Sequence, residues 1–256
     1  LGMRGGDAVR DHLARIGHSY LGRTVVDGVD LAVAPSEVVA LVGPSGCGKS
    51  TLVHIAADVV TPTRGRVERR FERQGMVFQD PRLLPWATAL DNIAYPLALA
   101  GVGRAARRER ARTAAARVDL AADDFDKYPV ELSGGMRQRT AIARALVVAP
   151  DFVFFDEPFT ALDVALKRRM QNLVIAAAAE ARFSALFVTH DLAEAARIAH
   201  RILVMDTHGR GIVGERRLPG FPGGRDDAEV FRLVSGFLAD DPLFRHVHDI
   251  DERRRA

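Results

Sequence analysis

Two stretches of this sequence carry the residue types that grip phosphate. In the first, Gly43 to Thr51 reads GPSGCGKST, which fits G-x-x-x-x-G-K-[ST]. In that pattern glycines let backbone N–H groups close around phosphate oxygens, the lysine reaches the terminal phosphates and the next hydroxyl ligates magnesium. Gly43, Pro44, Ser45, Gly46, Cys47, Gly48, Lys49, Ser50 and Thr51 are therefore candidate nucleotide contacts, with Ser50 also a candidate metal ligand. In the second stretch Leu132 to Arg139 reads LSGGMRQR. Ser133 is placed to cap a helix whose first N–H groups Gly134 and Gly135 leave sterically open, which makes a second anion site. Transfer of a phosphoryl group to water also needs a metal partner and a base. The apolar run Phe152 to Phe155 ends in Asp156 and Glu157, one carboxylate for each task.

The elements that must hold these groups are legible in the pattern of apolar residues. Residues 23 to 34 alternate and Val38 to Val42 is continuously apolar, so both are expected to be strands, the second running straight into Gly43. Leu52 to Val59 is expected to begin a helix whose dipole faces the phosphates. Val67 and Met76 to Phe78 suggest further strands, and a Pro-bounded turn, Pro81 to Pro85, follows. From Asp91 to Asp119 the pattern is helical and rich in alanine and arginine. Phe152 to Asp156 and Ala185 to Thr189 have the unbroken apolar character of buried parallel strands, with a helix over Leu166 to Ala181 between them. Ligands gather at the carboxyl ends of such strands. Beyond Arg201 to Met205 a Gly/Pro-rich stretch runs through Gly224, and Val230, Leu233, Val234, Phe237 and Leu238 then repeat with helical spacing.

Composition narrows the class. The 256 residues suffice for one large α/β domain, and 36 Lys and Arg against 33 Asp and Glu leave a net charge of only +3, spread along the chain. Neither a nucleic-acid tail nor a polybasic membrane anchor is implied. Lysine occurs only at positions 49, 127 and 167, so Lys49 stands out. Cys47 is the lone cysteine, which excludes an intrachain disulfide and suits a reducing cytosol. No apolar run reaches the roughly 18 residues of a membrane span, and the opening LGMRGGDAVRDHL lacks a signal-type apolar core. A soluble chain is expected, with any membrane role reached through a partner.

Taken together, GPSGCGKST, LSGGMRQR and FVFFDEPFTALD resemble the ATP-binding-cassette (ABC) ATPase family, in the family's order and spacing over about residues 13 to 205. The resemblance implies a P-loop NTPase core, a mostly parallel sheet with flanking helices and an antiparallel β part, carrying an inserted helical subdomain at about 80–150. It leaves 206–256 as a partly helical C-terminal extension. It also implies roles: Asp156 with Ser50 on Mg2+, Glu157 as general base, and Gln79 of MVFQD sensing metal and water. His190 of FVTHD would contact the γ-phosphate, Asp163 would cross to a second subunit, and Tyr20 of IGHSYLGRTVV would stack on adenine. Ser133, Gly134 and Gly135 would complete the ATP site of another copy, so that two chains sandwich two nucleotides.

Within the family, FQDPRLLPWATALDNIAYPL and the segments above look like the ATPase subunits of nitrate, sulfonate and taurine importers. The implied cofactors are ATP and Mg2+. The implied partners are a second ATPase subunit in a homodimer, transmembrane permease subunits that dock a short helix against Leu83, Leu84, Pro85 and Trp86, and a solute-binding protein acting through the permease. Nucleic acid is not among them. The chain would sit on the cytoplasmic face of the inner membrane. An exporter's ATPase subunit is the alternative, and a non-transport ABC ATPase a further one that the compact interval from Gly43 to Leu132 disfavours. Two positions depart from the pattern: Ser36 and Ala57 stand where glycine is usual.

Overall fold

Val38 to Val42 has no polar side chain, so it must lie where both faces of a sheet are covered. The computed structural model describes residues 10–207 and 211–244, and in it this run is β3 (Val38–Val42), buried at every position. The chain divides into two compact units, one built from residues up to Phe71 together with those from Arg182 onward, the other from Glu72–Ala181.

In the first unit β3 lies between two parallel neighbours, β7 (Ser184–Val188) and β8 (Arg201–Met205), with Leu41 opposite Val188 on one side and Leu203 on the other. β9 (Ile212–Arg217) extends β8 antiparallel. A separate antiparallel sheet has the order β2-β1-β4, from β1 (Asp11–Tyr20), β2 (Arg23–Val33) and β4 (Arg64–Arg69). Among the described residues its α-helices are α1 (Lys49–Ala56), α6 (Leu192–Ile198) and α7 (Asp227–Asp240). Arg201 ties the ends of several strands together, donating to Glu37 at 2.7 Å, to Glu215 at 2.7 Å and to the Ala32 carbonyl.

β1 and β9 were not evident in the sequence. β1 contains Gly17, an Arg15 at φ 50 and several shifts of register, which break the alternation that marks a strand. β9 starts beside Gly211 and has Gly214 at its centre, so it looked like loop. The expected α7 is present, while residues 208–210 and 245–256 of the C-terminal extension lie outside the described residues. The two departures from glycine differ in cost. Ser36 sits at φ 59, a left-handed conformation that glycine adopts without penalty, and its hydroxyl donates to the Arg182 carbonyl at 3.1 Å. Ala57 ends α1 at φ −79, where a side chain costs nothing.

The second unit holds the parallel pair β5 (Gln74–Val77) and β6 (Phe152–Asp156), with Val77 opposite Phe155. Its helices are α2 (Ala89–Leu99), α3 (Arg104–Arg117), α4 (Gly134–Leu146) and α5 (Val164–Ala181). The long helical stretch read from the sequence is thus two helices, broken at Gly101 (φ 76). Gly75 lets β5 approach α4 closely, because a Cβ there would fall 2.6 Å from the Ala145 carbonyl oxygen.

One buried charge makes this fold sensitive to pH. Asp11 is fully buried at the start of β1, and neither carboxylate oxygen makes a hydrogen bond of normal geometry. Burial pushes its pKa from 3.8 up to about 7, only partly offset by the nearby Arg69 guanidinium. The folded chain therefore holds a proton that the unfolded chain releases, so this site's contribution is full below pH about 4 and is lost as pH rises through about 7. Asp11→Asn removes the charge. Its melting temperature is expected to exceed the wild type's by roughly 3–8 °C at pH 8, with the gap shrinking toward pH 4. A gap that does not change across that range would show that Asp11 carries no such penalty.

Candidate functional site

The phosphate loop begins where β3 ends. Gly48 takes φ 100, and a Cβ on it would sit 2.7 Å from the Val25 carbonyl oxygen, so both conformation and space demand glycine. This sharp turn aims the first N–H groups of α1 back over the loop. Ser45 and Gly46 form the exposed tip, while Gly43, Pro44 and Cys47 are buried beneath it and Ser50 and Thr51 are half-buried on the first turn of α1. Lys49 is only 5% exposed. Its Nζ donates to the carbonyl oxygens of Gly43 at 2.8 Å and Pro44 at 2.9 Å, which holds the ammonium across the loop. Burial, set against the Lys49 charge, raises the Cys47 thiol above its usual range, so it stays a neutral, small packing group.

His190 shares this end of the sheet. Val188 pairs in register with Leu41, and the Thr189 N–H donates to the Leu41 carbonyl at 3.2 Å, so the loops carrying His190 and Gly43 leave neighbouring strands side by side. Thr189 and Asp191 fix the turn around the exposed histidine. The Thr189 hydroxyl donates to Glu194 at 2.7 Å and accepts from the Asp191 N–H at 3.0 Å, and the Asp191 carboxylate caps α6. Tyr20 closes β1 with 47% of its surface exposed, its ring edge-on to His18 at 4.5 Å. An exposed ring held by a neighbour is available for stacking.

The remaining candidates belong to the second unit. Gln79 and Glu157 each lie two residues past the paired Val77 and Phe155, so parallel pairing brings them to one sheet edge. Asp156 is buried at the end of β6. Glu157 has φ 46, a strained backbone for a residue with a side chain, and the Thr160 hydroxyl donates to its carbonyl at 3.2 Å. Ser133 caps α4 by accepting from the Met136 N–H at 3.2 Å. A Cβ on Gly135 would lie 3.5 Å from Leu162, which sets the Gly134–Gly135 turn against the loop that ends in Asp163. Asp163 itself accepts from the Leu166 N–H at 2.9 Å at the start of α5.

Sequence reasoning missed the side chains that hold the chain on both sides of Gln79. Asn92, fully buried in α2, accepts from the Leu84 N–H at 2.8 Å and donates to the carbonyls of Leu84, Ala87 and Thr88. From α4, Gln138 donates to the Phe78 carbonyl at 3.3 Å, and Arg144 to those of Pro81 and Arg82 at 2.7 and 2.9 Å. The only available signal was polar residues on the inward face of amphipathic helices. Trp86, left 74% exposed by this bracing, lines a groove of about 360 Å3 with Leu84 and Tyr95.

For a metal, the candidate donors are the Ser50 hydroxyl, the Gln79 amide and the Asp156 carboxylate. All are hard oxygen donors, which suit Mg2+ held by one or two carboxylates plus substrate phosphates. Among the described residues no group of three or more His, Cys, Asp or Glu forms a protein-only metal cage.

Comparison with known proteins decides the family. The sequence matches the ABC transporter family over residues 26–160. The chain belongs to that family. It is 41% identical over 239 residues to an aliphatic sulfonates import ATP-binding protein of Rhodococcus jostii (strain RHA1), covering 90% of this chain and 94% of the relative. A taurine import ATP-binding protein of Chromobacterium violaceum is 42% identical over 216 residues, covering 80% of this chain and 82% of the relative. Among solved structures, a dimeric ATP-binding cassette in a post-hydrolysis state bound to ADP and Pi is similar at a TM-score of 0.77 and 31% identity, over 82% of this chain and 100% of that one. The fold of this ABC chain is accordingly the P-loop NTPase cassette, α/β with a mostly parallel sheet, an antiparallel sheet and helices. No helix among the described residues is long and apolar enough to cross a membrane.

The bracing of Lys49 by two carbonyls generates a specific expectation for this ABC protein. Lys49→Ala deletes the one buried cation of the loop, so ATP affinity measured by calorimetric titration should fall by about tenfold or more, with the melting temperature little changed. Unchanged affinity would remove Lys49 from the nucleotide contacts.

Proposed function

We propose that the chain is the Mg2+-dependent ATPase subunit of a membrane importer for a small anion of the sulfonate or taurine class, working as a pair of chains with permease subunits at the cytoplasmic face of the membrane. The observation that carries this reading is the 41% identity to a sulfonates import ATP-binding protein along nearly the whole of both chains. Every chemical group the reaction needs is also present in the family's order. Import is favoured over export because the relatives named above are import proteins.

In this proposal the N–H groups around Gly46 and Gly48 and the ammonium of Lys49 bind the phosphates, and Tyr20 stacks on the base. Ser50, Asp156 and Gln79 hold Mg2+, which when bound neutralises charge on the phosphate oxygens. Glu157 accepts a proton from the attacking water, Gln79 senses that water together with the metal, and His190 contacts the γ-phosphate and orients Glu157. Ser133, Gly134 and Gly135 of one chain complete the site of the other, with Asp163 reaching across. Nucleotide then forms part of the dimer interface, so binding favours the closed pair and hydrolysis releases it.

Glu157→Gln tests the chemistry. The amide keeps the shape of the side chain and cannot take the proton, so ATP binding should persist while turnover falls by about 100-fold or more. Steady-state hydrolysis within roughly twofold of wild type would reject the general-base role.

Trp86→Ala tests the coupling. Exposed tryptophans beside aliphatic residues are the anchors that dominate interface energies. Assembly with the permease, measured by co-purification from membranes, should weaken by about tenfold or more while the isolated chain binds ATP normally. Normal assembly of the mutant would place the permease contact elsewhere.

A further inference from the structure

The C-terminal segment of the first unit forms an open cavity of about 810 Å3 that none of the ATPase residues touches. It lies between the loop after β9 and one face of α7, and its walls include Phe221, Leu233 and Phe237. The Phe221 ring lies over Gly224, where a Cβ would come within 2.7 Å of it. A volume of this size with mostly apolar walls and a few polar groups is typical of small-molecule sites.

Two observations point to what would fill it. Arg225 lines the cavity and is only 5% exposed. It donates through Nε to the Pro219 carbonyl and through Nη1 to those of Ala196 and Ala199, while its Nη2 is buried with no hydrogen-bond partner among the described residues. A buried guanidinium with an unused donor is costly unless an anion meets it. Three acids share the lining: Glu229 accepts from the Asp226 N–H and its charge also acts on Arg225, Asp241 pairs with Arg216 through two bonds, and Asp240 is exposed. Besides Arg216, which is paired with Asp241, the lining holds one more cation, the exposed Arg232 of α7.

The second observation is Gly236. It sits in the interior of α7, where glycine costs about 1 kcal/mol relative to alanine. A Cβ there would meet no atom within 4 Å. The chain's own packing thus gives no reason for glycine, and the room it leaves belongs to the cavity.

We propose that this cavity is a binding site for a small amphipathic anion, an aromatic or branched apolar body against Phe221, Leu233 and Phe237 with a sulfonate or carboxylate directed to Arg225 and Arg232. Because Arg225 holds the carbonyls at the end of α6, and α6 begins two residues after His190, occupancy would bear on the element that carries that histidine.

The test is a fluorescence titration of the full chain, saturated with ADP, with anilinonaphthalene sulfonate and with the uncharged phenyl-naphthylamine that shares its rings. Saturable binding at micromolar concentrations is expected, with the sulfonate favoured by about tenfold. Gly236→Leu fills the cavity from a good helix former and should weaken both probes by at least about tenfold while the melting temperature holds or rises. Arg232→Gln, at an exposed position, should erase most of the preference for the sulfonate and leave the neutral probe's affinity alone. Absence of saturable binding, or affinities that neither substitution changes by more than roughly twofold, would overturn the site. Equal affinity for the two probes would overturn the assignment of an anion.

Discussion

Several negative charges on adjacent phosphates can be gripped only where N–H groups and a cation converge on one point, and the backbone at Gly48 is what permits that convergence here. The turn at φ 100 leaves so little space that the Val25 carbonyl occupies the volume a side chain would need. Strand β2 is therefore the back wall of the phosphate loop, and the loop's curvature is fixed against it. The buried run of β3 sets where the loop starts, and the parallel register with β7 sets where His190 emerges beside it. Lys49, folded over the carbonyls of Gly43 and Pro44, keeps its charge in place before any ligand arrives.

How much of this could be read from the sequence depended on whether a residue's job was periodic or singular. Continuous apolar runs such as Val38 to Val42 and Phe152 to Phe155 have one physical solution, a strand covered on both faces, and both strands are where that argument puts them. The Ser133 cap followed from hydroxyl chemistry alone. β1 and β9 did not announce themselves, because glycines and register shifts interrupt their alternation and their identity depends on the partner strands. Asn92, Gln138 and Arg144 were invisible for a different reason. Each is an ordinary polar residue until the fold brings a loop's carbonyls to it, and no local pattern encodes that meeting.

The site residues show the same division. Gly43 to Thr51 is legible because a phosphate cradle needs those residue types at that spacing, whatever surrounds it. Gln79 and Glu157 were singled out by resemblance, and the parallel register that carries them to one edge is a property of β5 and β6 that neither segment states alone. The left-handed backbone of Glu157 and the exposure of Trp86 likewise emerge only from three-dimensional context.

Helix α4 bears Ser133 at its N-terminal end and, further along, grips the chain on either side of Gln79, through Gln138 at Phe78 and Arg144 at Pro81 and Arg82. From Ser133 to Arg144 such a helix spans on the order of 16 Å. It behaves as a single stiff rod with a handle at each end, one for the glycine turn and one for the braced loop. The rotational phase between the handles is then fixed by the number of residues separating them, since each residue turns the helix by about 100°. Inserting one alanine midway would leave both handles intact, the helix stable and every motif spelled correctly, yet it would point them in different directions. The length of α4, a quantity that no motif records, thereby fixes how its two ends face one another.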